Sequence, residues 1–147
     1  MRAVRFFVGF LLALSVAGVA APARAAEPQS LVAFAAAAGM DDVPGFVDIV
    51  ESLRTAHQLP PRYVTKEAAA THGWHGGGLC TTWPGHVIGG DLFRDAGAPL
   101  PKTPGRVYRE ADLDSDCRSR GAKRLIFSND GLIFLTVDHY NSFKPVP

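Results

Sequence analysis

The chain is predicted to be an α+β protein, with N-terminal helices packed on one face of a C-terminal antiparallel β-sheet. Three observations carry this. Phe46, Ile49, Val50 and Leu53 recur at helical spacing in the first half. The segment Arg106–Leu113 then alternates, with Val107, Arg109, Ala111 and Leu113 on one face and Tyr108, Glu110 and Asp112 on the other. Two apolar runs, Arg124–Phe127 and Leu132–Leu135, flank Ser128-Asn129-Asp130-Gly131, a hairpin by its turn residues. Helices followed by consecutive strands are the order of an α+β fold.

The chain opens on Met1-Arg2-Ala3-Val4-Arg5, continues as an apolar run from Phe6 to Ala21 and reaches Ala23-Arg24-Ala25. Basic, apolar and small-residue regions in that order read as a secretory signal peptide, residues 1–25, cleaved near Ala25. A membrane anchor is the competing reading; the run is short for a span and ends in a cleavable motif. Residues 26–45 form a variable, alanine-rich lead-in, either a short helix or a mobile segment, and residues 46–147 form one domain. The first amphipathic helix runs from Phe46 to about His57 and stops before Leu59-Pro60-Pro61. Thr65-Lys66-Glu67 caps a second helix through Ala68-Ala69-Ala70, ended by Gly73. Gly76 to Gly85 is loop, with room for one more helical turn. Val87–Phe93 is a strand, Asp95–Pro104 a long proline-containing turn, and Asp114–Gly121 a polar turn. The tail near Phe143 offers a short edge strand before Pro145.

Composition narrows the function classes. The full chain holds 15 Lys+Arg and 14 Asp+Glu. The leader takes Arg2, Arg5 and Arg24 and no acid, so twelve basic residues face fourteen acidic ones after cleavage. A globally basic nucleic-acid binder is excluded. The distribution is uneven: Arg106, Arg109, Arg118, Arg120, Lys123 and Arg124 cluster late, leaving room for a local cationic site. Cys80 and Cys117 in an exported chain are expected to form one disulfide; a metal or redox pair would need further ligands or a C-x-x-C spacing. No ligand cluster for a metal and no cofactor motif is visible.

Four features invite chemistry: Glu110 in mid-strand on the face opposite Val107, which is expected to be open to solvent; His139 in Asp138-His139-Tyr140; Arg120 and Arg124, four residues apart; and Lys66 at a helix start. Singly, each has an ordinary reading as a surface ion pair, an exposed imidazole, a solvated turn or a helix-start residue. Periodicity alone stops at an exported α+β domain.

In combination they resemble a known family. Leu59-Pro60, Tyr63-Val64-Thr65-Lys66, Gly73-Trp74, Ile88-Gly89-Gly90-Asp91-Leu92-Phe93, Leu100-Pro101, Gly105-Arg106, Arg109-Glu110-Ala111-Asp112, Arg124-Leu125-Ile126-Phe127-Ser128 and Asp138-His139-Tyr140 are similar to the barnase branch of guanyl-specific microbial ribonucleases. The resemblance runs from about Phe46 to Phe143 and implies the microbial ribonuclease fold. It further implies a metal-independent, cofactor-free endoribonuclease acting on single-stranded RNA by transesterification to a 2′,3′-cyclic phosphate, then hydrolysis.

Residue by residue, the resemblance makes Glu110 the general base and His139 the general acid. Lys66, Arg120 and Arg124 become cations around the scissile phosphate. Asp91 becomes a partner for Lys66, Asp112 the acid that holds Arg120 and Arg124, and Arg106 with Asp130 a structural ion pair. Tyr140 is either a base-stacking residue or simple packing. Phe93, Arg94 and Asp95 fall in the base-binding loop. Gly97 stands where the family carries a carboxylate and Asp95 lies two residues earlier, so either Asp95 substitutes for it or the guanine preference is relaxed, the second being favoured. Gly131 replaces a bulky aromatic, and Cys80 and Cys117 are additions in loops that the family's arrangement would let meet. The resemblance also implies a small acidic, barstar-like inhibitor protein as a partner. The mature chain is expected to be a monomer with no membrane association. The alternative is a non-catalytic secreted RNA- or nucleotide-binding module on the same scaffold, which would need neither base nor acid.

Overall fold

A computed structural model of the chain describes residues 30–94 and 96–147. The signal-peptide reading and Asp95 therefore lie outside the described residues.

Helix α1 spans Leu31–Ala37 and starts where Ser30 Oγ accepts the Ala33 N–H at 3.1 Å. Helix α2 spans Val43–Ala56. It begins three residues before the apolar periodicity does, because Asp42 caps the Gly45 N–H at 2.9 Å and Pro44 suits the first turn. Its end is set by His57, in the left-handed region at φ 56°. Phe34 of α1 stacks on Phe46 of α2 with ring centroids 5.9 Å apart, so the alanine-rich segment contributes a packed helix.

Strand β1 (Tyr63–Val64) leads into helix α3 (Lys66–Thr71), capped by Thr65 Oγ1 on the Ala68 N–H at 3.2 Å. Strands β2 (Val87–Leu92), β3 (Tyr108–Asp112), β4 (Arg124–Ser128), β5 (Ile133–Thr136) and β6 (Lys144–Pro145) follow. They form a six-stranded sheet in simple sequence order, antiparallel throughout except that β1 pairs parallel to β2. The expected antiparallel sheet is present in β2–β6, and β1 adds an uncalled parallel strand at its edge. A two-residue strand carries too little pattern to be read in sequence, and its pairing depends on Gly89. A Cβ there would stand 2.6 Å from the Tyr63 ring and 3.0 Å from the Ala111 Cβ, so only glycine lets the chains approach.

Alternation divides the side chains between two faces. Ala111, Leu113, Leu125, Ile133 and Leu135 meet Phe34, Ala35, Met40, Phe46, Ile49, Val50 and Leu53 in the main core. Asp114 ties this layer together: its carboxylate accepts the N–H groups of Asp41 and Asp42 at 2.8 and 2.9 Å and pairs with Lys123 at 2.7 Å. A smaller cluster of Ala69, Leu79 and Ile88, with Trp74 and Trp83 against it, seats α3 on β2. On the opposite sheet face Ile126 is covered by Ala98 and Leu100 of the long 93–107 loop, with Phe93, Tyr108, Phe134, Tyr140 and Phe143 around them. That face is therefore half roofed, not open as expected. Cys80 and Cys117 are joined in a disulfide, with Cα atoms 4.8 Å apart. Among the described residues no helix is long and apolar enough to cross a membrane.

Candidate active site

The site lies on the sheet face away from α1 and α2. Register aligns two rows there: Asp91, Glu110, Ile126 and Phe134 across β2–β5, and Asp112, Arg124 and Thr136 one step further along. Glu110 is only 7% exposed, so both of its oxygens need partners. Lys66 Nζ donates to Oε1 at 2.7 Å and the Tyr140 hydroxyl donates to Oε2 at 2.6 Å. Burial favours the neutral acid, but these two bonds, with the charges of Lys66 and Arg120, outweigh it and hold the carboxyl below the usual glutamate range. Burial and the bond to Glu110 push the Tyr140 phenol up to about 12.

Lys66 reaches Glu110 because Asp91 fixes its backbone. Asp91 accepts the Lys66 main-chain N–H at 3.0 Å through Oδ2, with Oδ1 at 3.3 Å. The expected Lys66–Asp91 partnership is thus a backbone one, and the ammonium is left for Glu110. The sequence motif could not separate the two carboxylates, since both lie in register opposite each other.

Asp112, 1% exposed, holds the two arginines. Arg120 grips it with Nε on Oδ2 at 2.7 Å and Nη2 on Oδ1 at 2.8 Å, a parallel two-bond fork. Its guanidinium pKa is raised by that bond first, with burial opposing and the charges of Asp112 and Glu110 adding. Arg124 Nε stands 2.9 Å from Asp112 Oδ1, a charge contact out of hydrogen-bond alignment, and its Nη1 donates to the carbonyls of Arg120 and Lys123 at 3.0 and 2.8 Å. Three cations, Lys66, Arg120 and Arg124, and three carboxylates, Asp91, Glu110 and Asp112, thus share one corner of the sheet.

His139 and Tyr140 are both left-handed, at φ 55° and 74°. Two successive non-glycine residues in that region store strain that their surroundings must hold. Asp138 holds it: Oδ1 accepts the Thr136 hydroxyl and the Ser142 N–H at 2.9 Å each, Oδ2 accepts the Ser142 hydroxyl at 2.6 Å, and the Tyr140 N–H returns to Thr136 Oγ1 at 3.0 Å. The sharp turn folds the Tyr140 ring over the sheet, with His139 exposed and anchored through its main-chain N–H to the Ala122 carbonyl at 3.2 Å. Sequence reasoning missed Thr136, Asp138 and Ser142; the signal was a hydroxyl and a carboxylate at turn spacing around the histidine.

Tyr140 joins the two halves. Its hydroxyl is on Glu110, its ring lies 4.9 Å from the His139 ring and 5.4 Å from Phe93, centroid to centroid. Glu110 and His139 are therefore both in contact with Tyr140, one with its hydroxyl and the other with its ring. Phe93 is half-buried against Tyr140 and Phe143, and Arg94 beside it in sequence is exposed. Arg106 and Asp130 form the expected pair, Nη2 to Oδ2 at 2.6 Å, far from this corner at the β4–β5 hairpin. Among the described residues no three histidine, cysteine or carboxylate side chains are grouped to hold a metal.

Residues 49–147 match a family described as ribonuclease. A ribonuclease from Heyndrickxia coagulans is 40% identical over 103 residues, covering 69% of this chain and 94% of its own. Ribonucleases from Bacillus intermedius and Bacillus pumilus are also 40% identical over 103 residues, and there the match spans 64% of their length. With the sheet order and the matched span in agreement, the chain belongs to the barnase-like family of microbial ribonucleases.

Proposed function

We propose that the chain is a secreted, metal-independent endoribonuclease that cleaves single-stranded RNA through a 2′,3′-cyclic phosphate. The observation that carries this reading is the Glu110–Tyr140–His139 arrangement beside Lys66 and Arg120. Glu110 is held ionised and accepts the proton of the ribose 2′-hydroxyl; each carboxylate oxygen has a second acceptor position beyond its Lys66 or Tyr140 bond. The 2′-oxygen attacks phosphorus, and His139 protonates the departing 5′-oxygen. In the second step His139 takes a proton from water and Glu110 returns one to the 2′-oxygen. The nucleophile is part of the substrate, so the protein need only orient it, move two protons and stabilise charge.

Lys66, Arg120 and Arg124 supply that stabilisation. Extra negative charge on the pentacoordinate phosphorus draws Lys66 away from Glu110 and raises the affinity of Glu110 for the arriving proton, so base strength grows as the reaction proceeds. Phe93, Arg94, Asp95 and Tyr140 border the base, with relaxed guanine selectivity; equal cleavage of GpA and ApA dinucleotides fits, and strong GpA preference contradicts it. The Cys80–Cys117 bridge supports export. The cationic corner suits a small acidic inhibitor protein as partner, and one copy of the chain holds every group the reaction needs.

Glu110→Gln and His139→Ala variants test the assignment. Both are expected to lose RNA cleavage by at least about a hundredfold while keeping the wild-type circular dichroism spectrum. Undiminished cleavage in either overturns the reading, and RNA binding without turnover by the wild type supports a binding module instead.

A further inference from the structure

Helix α2 ends at His57, whose left-handed backbone turns the chain away and leaves the sheet beyond Leu53 uncovered. Facing that gap, Val107, just before β3, is 42% exposed for an apolar residue, and β4 offers half-buried Phe127. The hairpin that closes the far side turns through Gly131 at φ +94°, and no atom lies within 4 Å of where a Cβ would stand. The result is a cleft of about 550 Å³, the size of small-molecule sites, on the helix side of the sheet. Arg109 and Glu110 are neighbours on β3 and point to opposite faces, so this cleft is separate from the site described above.

Its charge is one-sided. Arg54, His57 and Arg109 line it and no acidic side chain does. Arg54 donates to the main-chain oxygen of Pro147 and lies in the last turn of α2, where it offsets the helix's negative end. Arg109 comes from the sheet, where no helix dipole opposes it. Its Nη1 donates to the Gly90 carbonyl at 2.6 Å, and none of the ion pairs among the described residues includes it. Asp130, nearby in sequence, is already taken by Arg106.

We propose that this cleft binds a small aromatic anion, the ring lying against Val107, Phe127 and Leu53 and the anionic group meeting Arg109. An apolar wall with one uncompensated guanidinium selects for a flat apolar body carrying one negative group. Neither a neutral aromatic nor a simple inorganic anion satisfies both halves. An aromatic carboxylate and a nucleoside monophosphate share this chemistry. The proposal stands independently of the ribonuclease reading.

The test is titration of the full chain with 2-naphthoate, followed by calorimetry and by amide chemical shifts in NMR. Saturable binding is expected, with shifts centred on His57, Asn129 and Gly131 and not on His139 and Tyr140. Neutral 2-naphthamide and the Arg109→Gln variant are each expected to weaken it about tenfold. Val107→Trp, which fills the cleft from a partly exposed position, is expected to abolish it. A parallel titration with adenosine 5′-monophosphate identifies the source: tighter binding at the same amides points to a nucleotide, weaker binding to a carboxylate. Absence of saturable binding, shifts centred on His139, or affinity unchanged in Arg109→Gln overturns the proposal. The wild-type shift map stands even if a variant fails to fold.

Discussion

The Tyr140 hydroxyl donates to Oε2 of Glu110 at 2.6 Å, and this bond ties the strand that carries Glu110 to the strained turn that carries His139. The relationship has an electrostatic consequence as well as a geometric one. The bond is one of the two that keep Glu110 ionised despite its burial.

Tyr140→Phe removes that bond and leaves the ring. The Glu110 pKa is then expected to rise, because a group that stabilised the carboxylate is gone while burial still opposes the charge. The acid limb of the kcat/KM profile, which reports the free enzyme, moves to higher pH, with a loss of about tenfold or less at neutral pH. An unmoved acid limb contradicts this role for Tyr140.

Asp112→Asn tests the arginine pair. Arg124 is 3% exposed and Arg120 largely covered, so removing the carboxylate takes away the counter-charge that the two guanidinium groups share. Breaking a buried pair of this kind costs about 3–5 kcal/mol. Urea unfolding is expected to show a loss of that order, and cleavage is expected to fall with it. A stability change under about 1 kcal/mol would argue that water reaches the pair.

Acid sensitivity follows from the depressed carboxylates. Glu110 and Asp114 lie below their ordinary values, and Asp130, bonded to Arg106 and Ser128, lies at about 2. A carboxylate with a lowered folded-state pKa stabilises the fold above its unfolded value and loses that contribution as pH falls through the folded one. The urea midpoint is therefore expected to hold near neutrality, then fall from about pH 4 downward. Asp130→Asn should flatten the part of the fall nearest pH 2. An acid profile identical to wild type contradicts the Arg106–Asp130 contribution.

The disulfide spans 37 residues of chain. In the chain-entropy account such a loop is worth about 4 kcal/mol, realised as roughly 2–4. The Cys80→Ala/Cys117→Ala double variant is expected to lose that much stability and keep its activity, since Asp112 holds Arg120 independently. Two free thiols in the unfolded, unreduced wild type would contradict the bridge.

Much of this was legible in the sequence for definite reasons. A period of two fixes Glu110 and Asp112 on one face once β3 is recognised, and the spacing of Phe46, Ile49, Val50 and Leu53 fixes the inner face of α2. What stayed illegible depends on tertiary contact. Strand β1 exists only because Gly89 admits Tyr63, and no two-residue pattern announces that. The choice of Lys66 between Asp91 and Glu110 turns on where α3 begins, a matter of one residue. The cover over the Glu110 face comes from Ala98 and Leu100, which lie in a proline-rich turn that reads as exposed. Asp138 was seen as part of a motif, while its action on the His139–Tyr140 backbone emerges only from the folded turn.

The most direct measurement follows GpA by phosphorus NMR with the purified protein. A guanosine 2′,3′-cyclic phosphate resonance is expected to appear first and convert slowly to the 3′-monophosphate, and the first step is expected to be lost in both Glu110→Gln and His139→Ala. Direct formation of a phosphomonoester with no cyclic species, or an undiminished first step in either variant, would contradict proton transfer to and from the substrate by these two residues.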